Sequence, residues 1–393
     1  MACGSAPAGA GGLSLAAVLR AGISRSPPSL PKHQWRILNA LLTCRTPALG
    51  AHRYQCGSCG RSHFVPHSCR NRHCPVCQGR AAHEWLMHQE AALLPVPYFH
   101  LVFTLPHELN PLIRQNQRAL YTLLFTAATE TLLEFGQNRF GVQIGITAVL
   151  HTWSQTLLDH YHLHCIVSGG GLSADGTKWV GTPPHYLFAV RALSAVFRGK
   201  FCAGLEQLHA EGKLEFHNQL ADLSQPANFK RLLRQATRQK WAVYAKRPFA
   251  GPRQVLAYLS RYTHRVAISP SRLMDLDQDT GTVTFGWRDY AHESKRKTMR
   301  LEVPEFVRRF CLHLLPERFV KIRHFGFLSN RHRQTRVARA RLLLGAEPAQ
   351  LPPAAEACLR APIKCPFCGS EQLLLVEIIL PCVVPKPKPL DSS

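Results

Sequence analysis

Two Cys-x-x-Cys pairs, separated by 14 residues, are the feature that most constrains how this chain can fold. Cys56 and Cys59 form the first pair, and Cys74 and Cys77 form the second. A Cys-x-x-Cys knuckle directs two thiolates at one ion, and a second knuckle completes a tetrahedral zinc site without an open position. The spacing therefore predicts a small module built around one structural zinc ion.

Further potential ligands lie inside the same block and near the end of the chain. Those inside the block are Cys69, His63, His67 and His73. They could replace one of the four thiolates or build a second ion site, but we interpret them as polar loop residues. Cys365 and Cys368 form a third pair, whose nearest cysteines in the sequence are Cys358 and Cys382. A second zinc ion at this third pair is therefore a hypothesis, with its partner ligands open.

Charge points to a polyanionic partner. The 48 Lys and Arg residues outnumber the 24 Asp and Glu residues, which gives the chain a formal net charge of +24. Such a field attracts polyanions, and nucleic acid is the most common one that a folded protein meets. The N-terminal residues lack a secretory signal, and no segment approaches the ~20 apolar residues of a membrane span. We therefore expect a cytoplasmic protein with reduced cysteines and no membrane partner.

Periodicity and composition predict alternating helices and strands after a flexible leader at residues 1–30, which is rich in Ala, Gly, Ser and Pro. Helices are predicted at 32–42, 79–94, 119–134, 228–245, 252–262 and 304–315, with a mostly helical region at 185–215. Strands are predicted at 98–105, 142–153, 161–168 and 281–290. The Gly-Gly-Gly run at 169–171 is expected to end the third strand. This order indicates an α+β fold around an antiparallel sheet.

A His-x-His pair on the third predicted strand is a candidate metal site. His162 and His164 flank Leu163 in the segment HYHLHCIV. Because alternate residues of a strand share a face, both imidazoles can reach one ion while Leu163 packs in the core. Two histidines also leave coordination positions open for DNA oxygens. A chain with 21 histidines contains such pairs by chance, so the pair gains weight only from the rest of the sequence.

Two tyrosines in the segment YLSRYTHRVAIS are candidate nucleophiles. Tyr258 and Tyr262 are four residues apart, so a helix places them on one face. A tyrosine hydroxyl can attack a phosphodiester and hold the DNA covalently, and a neighbouring divalent metal would polarise the phosphoryl oxygen. Two tyrosines would allow two successive strand transfers without release of the DNA. The alternative is that both are half-buried residues of an amphipathic helix.

Basic residues with interleaved aromatic residues indicate a DNA-contacting surface. Between Gln225 and Arg265 there are ten Lys or Arg residues and no acidic residue. The candidate DNA-contacting residues along the whole chain are Arg70, Arg72, Arg261, Arg265, Lys295, Arg296, Lys297, Arg323, Arg331 and Arg333. Aromatic residues among them can stack on unpaired bases at ~1–3 kcal/mol each. Those aromatic residues are Trp241, Tyr244, Phe249, Trp287 and Tyr290, and we expect at least half of them to be core.

Five segments, in the same order, resemble the insertion-sequence-91 family of bacterial rolling-circle transposases. They are the cysteine block, HLVFTLPHEL, HTWSQTLLDHYHLHCIVSGGGL, YLSRYTHRVAIS and RRFCLHLLPERFVKIRHFGFLSNRHR, and they span roughly residues 33 to 370. This family belongs to the HUH endonucleases, which are named for a His–hydrophobic–His motif. The resemblance implies an α+β fold with an HUH-type antiparallel sheet of five strands and flanking helices, preceded by a small zinc-binding domain. The metal pair would lie on a central strand.

The resemblance also implies roles for the candidate residues. His162 and His164 would bind a catalytic Mg²⁺ or Mn²⁺, and Tyr258 and Tyr262 would be the nucleophiles. Family members would cleave one strand at an element end, form a 5′-phosphotyrosine and pass the strand to a target. Which tyrosine reacts first stays open. The expected partners are single-stranded and element-end DNA, so the protein would be associated with the nucleoid.

A third histidine ligand is usual in this class. His151 precedes His162 by 11 positions, a spacing similar to the three-histidine pattern of conjugative relaxases. A hairpin would bring it alongside the pair. We therefore predict His151 as the third ligand, rather than His160 or His264.

The predicted organisation has four parts: the leader at 1–30, a zinc-binding DNA-recognition domain at 31–95, the catalytic domain at 96–345 and a Pro-rich tail at 346–393. Two alternatives to a transposase are open. One is a plasmid replication initiator or relaxase with the same chemistry, and the other is a non-catalytic zinc-dependent DNA-binding protein. The zinc block and the segment IRHFGFLSN favour the transposase. A transposase with a carboxylate triad is disfavoured because the chain has few acidic residues.

Overall fold

The computed structural model describes residues 13–90, 93–239, 241–246, 266–290, 292–347 and 364–382. It divides the chain into two compact units, and both are discontinuous in sequence. Unit 1 comprises Met1–Ala81, Ile268–Cys311 and Pro353–Ser393, and unit 2 comprises Ala82–Ala267 and Leu312–Pro352. The predicted domains at 31–95 and 96–345 are each continuous in sequence, whereas both units are assembled from separate segments. Local periodicity does not reveal that segments about 300 residues apart pair in one sheet.

Helices α1 (Leu15–Arg25) and α8 (Val303–Cys311) pack together in unit 1. The side chain of Ser14 accepts a hydrogen bond from a backbone N–H in the first turn of α1, which caps the helix. A Cβ added at Gly22 would lie 2.5 Å from Cγ2 of Val307, so the two helices approach closely at this glycine. The prediction of a flexible leader was therefore wrong for α1, because its Ala- and Gly-rich composition concealed the helical spacing of its buried leucine and valine residues.

Two three-stranded antiparallel sheets complete unit 1. In the first, β1 (Ala51–Cys56) lies between β2 (Ser62–Pro66) and β12 (Leu373–Ile379). In the second, β9 (Thr282–Asp289) lies between β8 (Leu273–Asp277) and β10 (Lys295–Glu302). The bounds of helix α2 (Lys32–Leu42) agree with its prediction, and β9 lies within the predicted strand 281–290. Helix α3 (Pro75–Glu90) begins four residues before its predicted start.

A six-stranded antiparallel sheet forms the centre of unit 2. Its strands are β3 (Tyr98–Thr104), β4 (Val142–Trp153), β5 (Asp159–Ser173), β6 (Trp179–Gly181), β7 (Val243–Lys246) and β11 (Ile322–Gly326). Five of them follow the order β11-β4-β5-β3-β7, and the short β6 pairs with the end of β5. Strand β5 is therefore central, and the predicted α+β fold with an antiparallel sheet is confirmed.

Helices cover the two faces of this sheet differently. The helices of unit 2 are α4 (Asn110–Gln115), α5 (Gln117–Phe140), α6 (Val190–Ala210), α7 (Pro226–Arg238) and α9 (Arg333–Leu343). Residues of α5, α6 and α7 form the main core with the odd-numbered residues of β5, such as Leu163 and Cys165. On the opposite face, residues of α9 form a smaller core with Ile166 and Leu172, in the second half of β5. The even-numbered residues nearer the start of β5 are thus available for a site.

One predicted element in the described part of unit 2 differs from the structure. The predicted helix at 228–245 ends at Arg238, and strand β7 follows it. Strand β7 pairs with β3, a long-range contact that helical periodicity does not report. The predicted helix at 252–262 lies outside the described residues.

The glycine run does not end the third strand as expected, since β5 continues to Ser173. Gly170 has a φ of +141°, and a Cβ added at Gly171 would lie 2.4 Å from the carbonyl oxygen of Gln143. The glycines therefore allow β4 and β6 to approach β5 closely. The Ser168 hydroxyl donates to the Gly170 carbonyl at 2.6 Å and accepts from the Gly145 N–H at 2.9 Å, which satisfies the irregular pairing there.

None of the helices that the structure describes is both long and apolar enough to cross a lipid bilayer.

Candidate functional site

Three histidines lie together on the face of the central sheet that is opposite the main core. The alternation of β5 places His162 and His164 on this face, and β4 pairs His151 directly with His162. One nitrogen from each ring lies within 4.8 Å of the others. The ring centroids are 4.5 Å apart for His151 and His164, and 4.8 Å apart for His162 and His164. We call these residues the histidine cluster.

The tautomer of His162 suits a metal ligand. Its Nδ1 lies 2.7 Å from the carbonyl oxygen of His160. Because a carbonyl oxygen only accepts, Nδ1 carries the hydrogen and Nε2 retains its lone pair. Burial, assisted by the neighbouring His160, lowers the pKa of His162 to about 3. The ring is therefore neutral near pH 7, as a metal-binding imidazole must be.

His100 of β3 contacts the histidine cluster, and the sequence analysis missed it. Its Nε2 lies 2.9 Å from Nδ1 of His164, and the two rings are stacked with an interplanar angle of 9°. Burial, assisted by the charge of Lys246, lowers the pKa of His100 to about 4. This contact engages Nδ1 of His164, so its Nε2 is the nitrogen that can face an ion. The signal in the sequence was the position of His100 within a predicted strand, on the face opposite its neighbouring phenylalanine and leucine.

A buried carboxylate fixes the start of the strand that carries the histidines. Asp159 is buried and forms an ion pair with Arg114. The Tyr161 hydroxyl donates to Oδ1 of Asp159 at 3.0 Å. Charge-assisted hydrogen bonds of this kind hold both partners in one geometry. They anchor β5 three residues before His162.

The predicted nucleophiles lie outside the described residues. These are Tyr258 and Tyr262, together with their neighbours Arg261, His264 and Arg265. The described chain reaches this segment from β7, which pairs with β3 on the far side from β5. The last residue of β7, Lys246, lies opposite His100 in that pairing. The segment that contains the two tyrosines therefore follows a strand whose last residue, Lys246, pairs with His100. His100 in turn contacts the histidine cluster.

The structure brings the cysteines together in two clusters. Cluster A consists of Cys44, Cys69, Cys74 and Cys77, and cluster B consists of Cys56, Cys59, Cys365 and Cys368. In cluster A, three pairs of Sγ atoms lie 3.7 Å apart. In cluster B, the distance is 3.6 Å between Cys56 and Cys368, and 3.7 Å between Cys59 and Cys365. All eight residues belong to unit 1.

The two predicted knuckles do not meet, and this corrects the prediction of one site from Cys56, Cys59, Cys74 and Cys77. The first knuckle follows β1, where the neighbouring strand β12 brings the third pair alongside. Cys74 and Cys77 lie at the start of α3, beside Cys44 and Cys69. Cys69 does lie in a loop, but its Sγ belongs to cluster A, so the preference for a loop residue over a ligand was wrong. Cys44 was missed because 24 residues separate it from Cys69.

Both clusters have dimensions that suit zinc. A Zn–S bond of about 2.3 Å in a tetrahedron requires sulfur atoms about 3.8 Å apart. The measured distances are close to that value, and far longer than the roughly 2.0 Å of a disulfide. A hydrogen bond from Cys69 lowers the pKa of the Cys74 thiol to about 5, and one from the backbone N–H of Cys59 lowers the pKa of Cys56 to about 6. The contact with Cys74 raises the pKa of the Cys69 thiol, and burial raises the pKa of Cys44 to about 11. These contacts therefore favour Cys74 as the thiolate of cluster A and Cys56 as that of cluster B.

The other described residues that were considered as possible ligands of these sites belong to neither cluster. The Nδ1 atom of His67 donates to the Leu49 carbonyl at 2.9 Å, and that of His73 lies 3.1 Å from Oδ1 of Asn71. His63 lies on β2 and belongs to neither cluster. Cys382 is exposed and belongs to neither cluster, and Cys358 lies outside the described residues.

The predicted DNA-contacting residues of unit 1 are mostly exposed. Lys295, Arg296 and Lys297 follow one another along the exposed strand β10. Lys297 forms an ion pair with Asp289 at 2.8 Å, so part of its charge is already compensated. Arg70 is exposed near cluster A, whereas Arg72 is half-buried and its burial lowers its pKa.

Of the three predicted arginines that the structure describes in unit 2, two are half-buried. The guanidinium of Arg323 lies 4.4 Å from the ring centroid of Phe125, and lines a pocket with Arg118 and Arg318. Arg333 donates to Oε1 of Gln89 at 2.6 Å, whereas Arg331 is exposed.

Of the five aromatic residues that were candidates for base stacking, the four that the structure describes divide between core and surface. Trp241 is buried in the main core, and Trp287 is half-buried. Tyr244 and Tyr290 are 56% and 65% exposed. Phe249 lies outside the described residues.

Comparisons with known proteins agree on one family. A family model with the description "Putative transposase" matches residues 145–336, and one with the description "Transposase zinc-binding domain" matches residues 18–105. A Sinorhizobium fredii protein named "Putative transposase y4qJ" is 45% identical over 362 residues, which cover 89% of this chain and 90% of that protein. The transposase for insertion sequence element IS801 of Pseudomonas savastanoi pv. phaseolicola is 30% identical over 347 residues, which cover 86% of this chain and 82% of that protein.

One similar solved structure is the conjugative relaxase TrwC in complex with oriT DNA. It aligns with a TM-score of 0.23 and 17% identity, over 42% of this chain and 71% of that chain. A similarity of this size is too weak to establish a common fold. The sequence relatives, by contrast, match over most of their length and most of this chain. The chain therefore belongs to the insertion-sequence-91 family of transposases and has an N-terminal zinc-binding domain.

Proposed function

We propose that this transposase nicks and joins single-stranded DNA in rolling-circle transposition, through a tyrosine nucleophile and a divalent cation held by His151, His162 and His164. The observation that carries the proposal is the histidine cluster on the paired strands β4 and β5 of the sheet. Three imidazoles would leave coordination positions open for oxygens of the DNA backbone. When bound, the cation would supply Lewis-acid polarisation of the scissile phosphate.

The proposed chemistry needs one tyrosine hydroxyl as the nucleophile for each DNA strand that is cleaved. The hydroxyl oxygen of Tyr258 or Tyr262 attacks the phosphorus, the bond to the 3′ oxygen breaks, and the 3′-hydroxyl leaves with a proton. The product is a 5′-phosphotyrosine. A 3′-hydroxyl of a recipient strand then attacks this phosphorus, which restores the phosphodiester and releases the tyrosine. The two steps conserve the number of phosphodiester bonds, so no other energy source is needed.

Chain length is compatible with this arrangement. Tyr258 follows Lys246, the end of β7, by 12 residues. Even at the helical rise of about 1.5 Å per residue, 12 residues cover about 18 Å. A segment that leaves beside His100 is therefore long enough to bring a hydroxyl to the histidine cluster.

We further propose that cluster A holds a structural zinc ion, since all four of its cysteines fall within the matched zinc-binding domain. The exposed basic residues of β10 and the exposed Tyr244 and Tyr290 would contact DNA phosphates and unpaired bases.

The proposed nuclease reaction can be tested with the full-length protein and an oligonucleotide of an element end. A 5′-phosphotyrosine retains the 3′ part of the cleaved strand, so a 3′-labelled oligonucleotide should yield a protein adduct on a denaturing gel. A 5′-labelled oligonucleotide should yield only a shortened free strand. The adduct should require Mg²⁺ or Mn²⁺. It should fall at least 100-fold, the scale on which loss of a catalytic group acts, in His162→Ala and in the double variant Tyr258→Phe/Tyr262→Phe.

Matched controls separate catalysis from folding. Tyr186→Phe removes an exposed tyrosine hydroxyl of unit 2, and His185→Ala removes an exposed histidine of the same unit. Both variants should retain the adduct. If the wild-type protein binds the oligonucleotide but forms no adduct with any divalent cation, the proposal fails and a non-catalytic DNA-binding protein becomes the better interpretation.

A further inference from the structure

We propose that Cys56, Cys59, Cys365 and Cys368 bind a second zinc ion, which ties the C-terminal segment 364–382 to the N-terminal zinc-binding module. The two family matches end at residues 105 and 336, so the third Cys-x-x-Cys pair and β12 lie outside both. This metal site is independent of the proposed nuclease chemistry. It concerns unit 1 alone.

Strand pairing brings the two knuckles together. Strand β12 runs antiparallel to β1, with Ile379 opposite Ala51 and Leu373 opposite Cys56. The backbone N–H of Gly57 extends this pairing by donating to the Gln372 carbonyl at 2.8 Å. The turn after β1 and the turn before β12 therefore lie side by side.

The two knuckles repeat one backbone motif. In the first, the Cys56 N–H donates to the Arg61 carbonyl at 3.0 Å, and the Gly60 N–H donates to the Cys56 carbonyl at 2.9 Å. In the second, the Cys365 N–H donates to the Ser370 carbonyl and the Gly369 N–H donates to the Cys365 carbonyl, both at 2.8 Å. Gly60 and Gly369 have φ values of +70° and +76°, which glycine adopts readily. Each sequence reads Cys-x-x-Cys-Gly.

The sulfur atoms of the first and third Cys-x-x-Cys pairs lie close together across the site. The Sγ atom of Cys56 lies 3.6 Å from that of Cys368, and the Sγ atom of Cys59 lies 3.7 Å from that of Cys365. The first cysteines, Cys56 and Cys365, are buried, whereas Cys59 and Cys368 are exposed. Four thiolates in two matched knuckles form a closed tetrahedral set, which is the donor chemistry of a structural zinc site.

Hydrophobic burial contributes little to holding β12 in place. Leu374, Ile378 and the following Leu380 are 66%, 56% and 76% exposed. A strand that leaves its apolar side chains in water gains little free energy from packing. The knuckles are also far apart in sequence, with Cys59 and Cys365 separated by 306 positions. A metal ion shared by both knuckles supplies the cross-link that side-chain packing does not.

Zinc content of the full-length protein, measured by native mass spectrometry, tests this proposal. The wild-type protein should hold two zinc ions. The double variants Cys365→Ser/Cys368→Ser and Cys56→Ser/Cys59→Ser should each hold one, and the quadruple variant that combines them should also hold one. Cys74→Ser/Cys77→Ser should lose the zinc ion of cluster A and keep the one held by Cys56, Cys59, Cys365 and Cys368. The matched control Cys382→Ser removes an exposed cysteine of the same segment that lies outside both clusters, and it should keep two ions.

Two outcomes overturn the proposal. In the first, Cys365→Ser/Cys368→Ser still holds two zinc ions. In the second, the wild-type protein holds only one zinc ion, and this variant keeps it. If that variant is insoluble, the ligand-preserving variant Cys368→His provides the alternative, since histidine also binds zinc and two ions should remain. Hydrogen exchange gives a further measurement on the wild-type protein. Chelation should accelerate amide exchange in β12, and unchanged exchange after removal of both ions contradicts the proposed cross-link.

Discussion

His100 touches a proposed ligand rather than the proposed ion. Its Nε2 lies 2.9 Å from Nδ1 of His164. With a cation at Nε2 of His164, this Nδ1 would carry the hydrogen and donate to His100, which would hold the ring in one orientation. Partners of this kind usually change metal affinity by about 10–100-fold when they are lost. We therefore interpret His100 as a positioning residue of the histidine cluster.

The variant His100→Leu should weaken Mn²⁺ binding by about 10–100-fold, and saturating Mn²⁺ should restore nicking. His100→Gln supplies an acceptor oxygen near the lost nitrogen and should recover part of the affinity. His324→Leu is a matched control, because His324 lies on the same face but contacts Thr147. Isothermal titration with Mn²⁺ measures the affinity, and the adduct assay measures nicking. Equal Mn²⁺ affinity in all of these variants would contradict the positioning role.

At the scale of elements, the glycine run shows how tertiary contacts decide where a strand ends. A Cβ at Gly171 would overlap the backbone carbonyl of Gln143, and a backbone atom cannot rotate away. Gly171→Ala should therefore destabilise the protein by about 1–3 kcal/mol, the usual cost of overpacking. Gly199→Ala is a matched control, because Gly199 lies in α6 with no atom near the added methyl group. It should be neutral or stabilising, by up to about 1 kcal/mol.

Thermal unfolding of the full-length protein, followed by circular dichroism, compares these two variants. Gly171→Ala should lower the midpoint, and Gly199→Ala should not. A midpoint for Gly171→Ala equal to that of the wild-type protein would show that β4 and β5 separate there at no cost.

The elements that the sequence predicted well are those whose pattern is local. Helix α2 and strand β4 agree with their predicted bounds, because a stripe of apolar residues or an apolar strand defines each of them. The predicted helix at 228–245 failed in its second half, where pairing of β7 with β3 decides the conformation. His162 and His164 could be chosen from strand alternation, whereas His100 belongs to a neighbouring strand, so its contact depends on register.

At the scale of the whole chain, the cysteines show the same limit. Sequence spacing favours the pairing of knuckles that are 14 residues apart, yet β12 returns from the end of the chain to meet β1. Nothing in a local window reports that contact. The sequence did not reveal cluster A for the same reason, because Cys44 is far from the other three cysteines along the chain although it lies beside them in the structure.

The net charge of +24 makes DNA affinity sensitive to salt, and the slope reports how many phosphates the protein contacts. For single strands, each contacted phosphate contributes about 0.7 to the slope of log K against log salt concentration. If the exposed strand β10 lies on the DNA path, Arg296→Ala should reduce the slope by about that amount. Lys297→Ala should reduce it less, because the ion pair with Asp289 already compensates part of the lysine charge. Fluorescence anisotropy with a labelled single strand, between roughly 50 and 200 mM salt, measures both slopes. The same slope in Arg296→Ala as in the wild-type protein would remove β10 from the DNA-contacting surface, and the positive charge would then have to act through other segments.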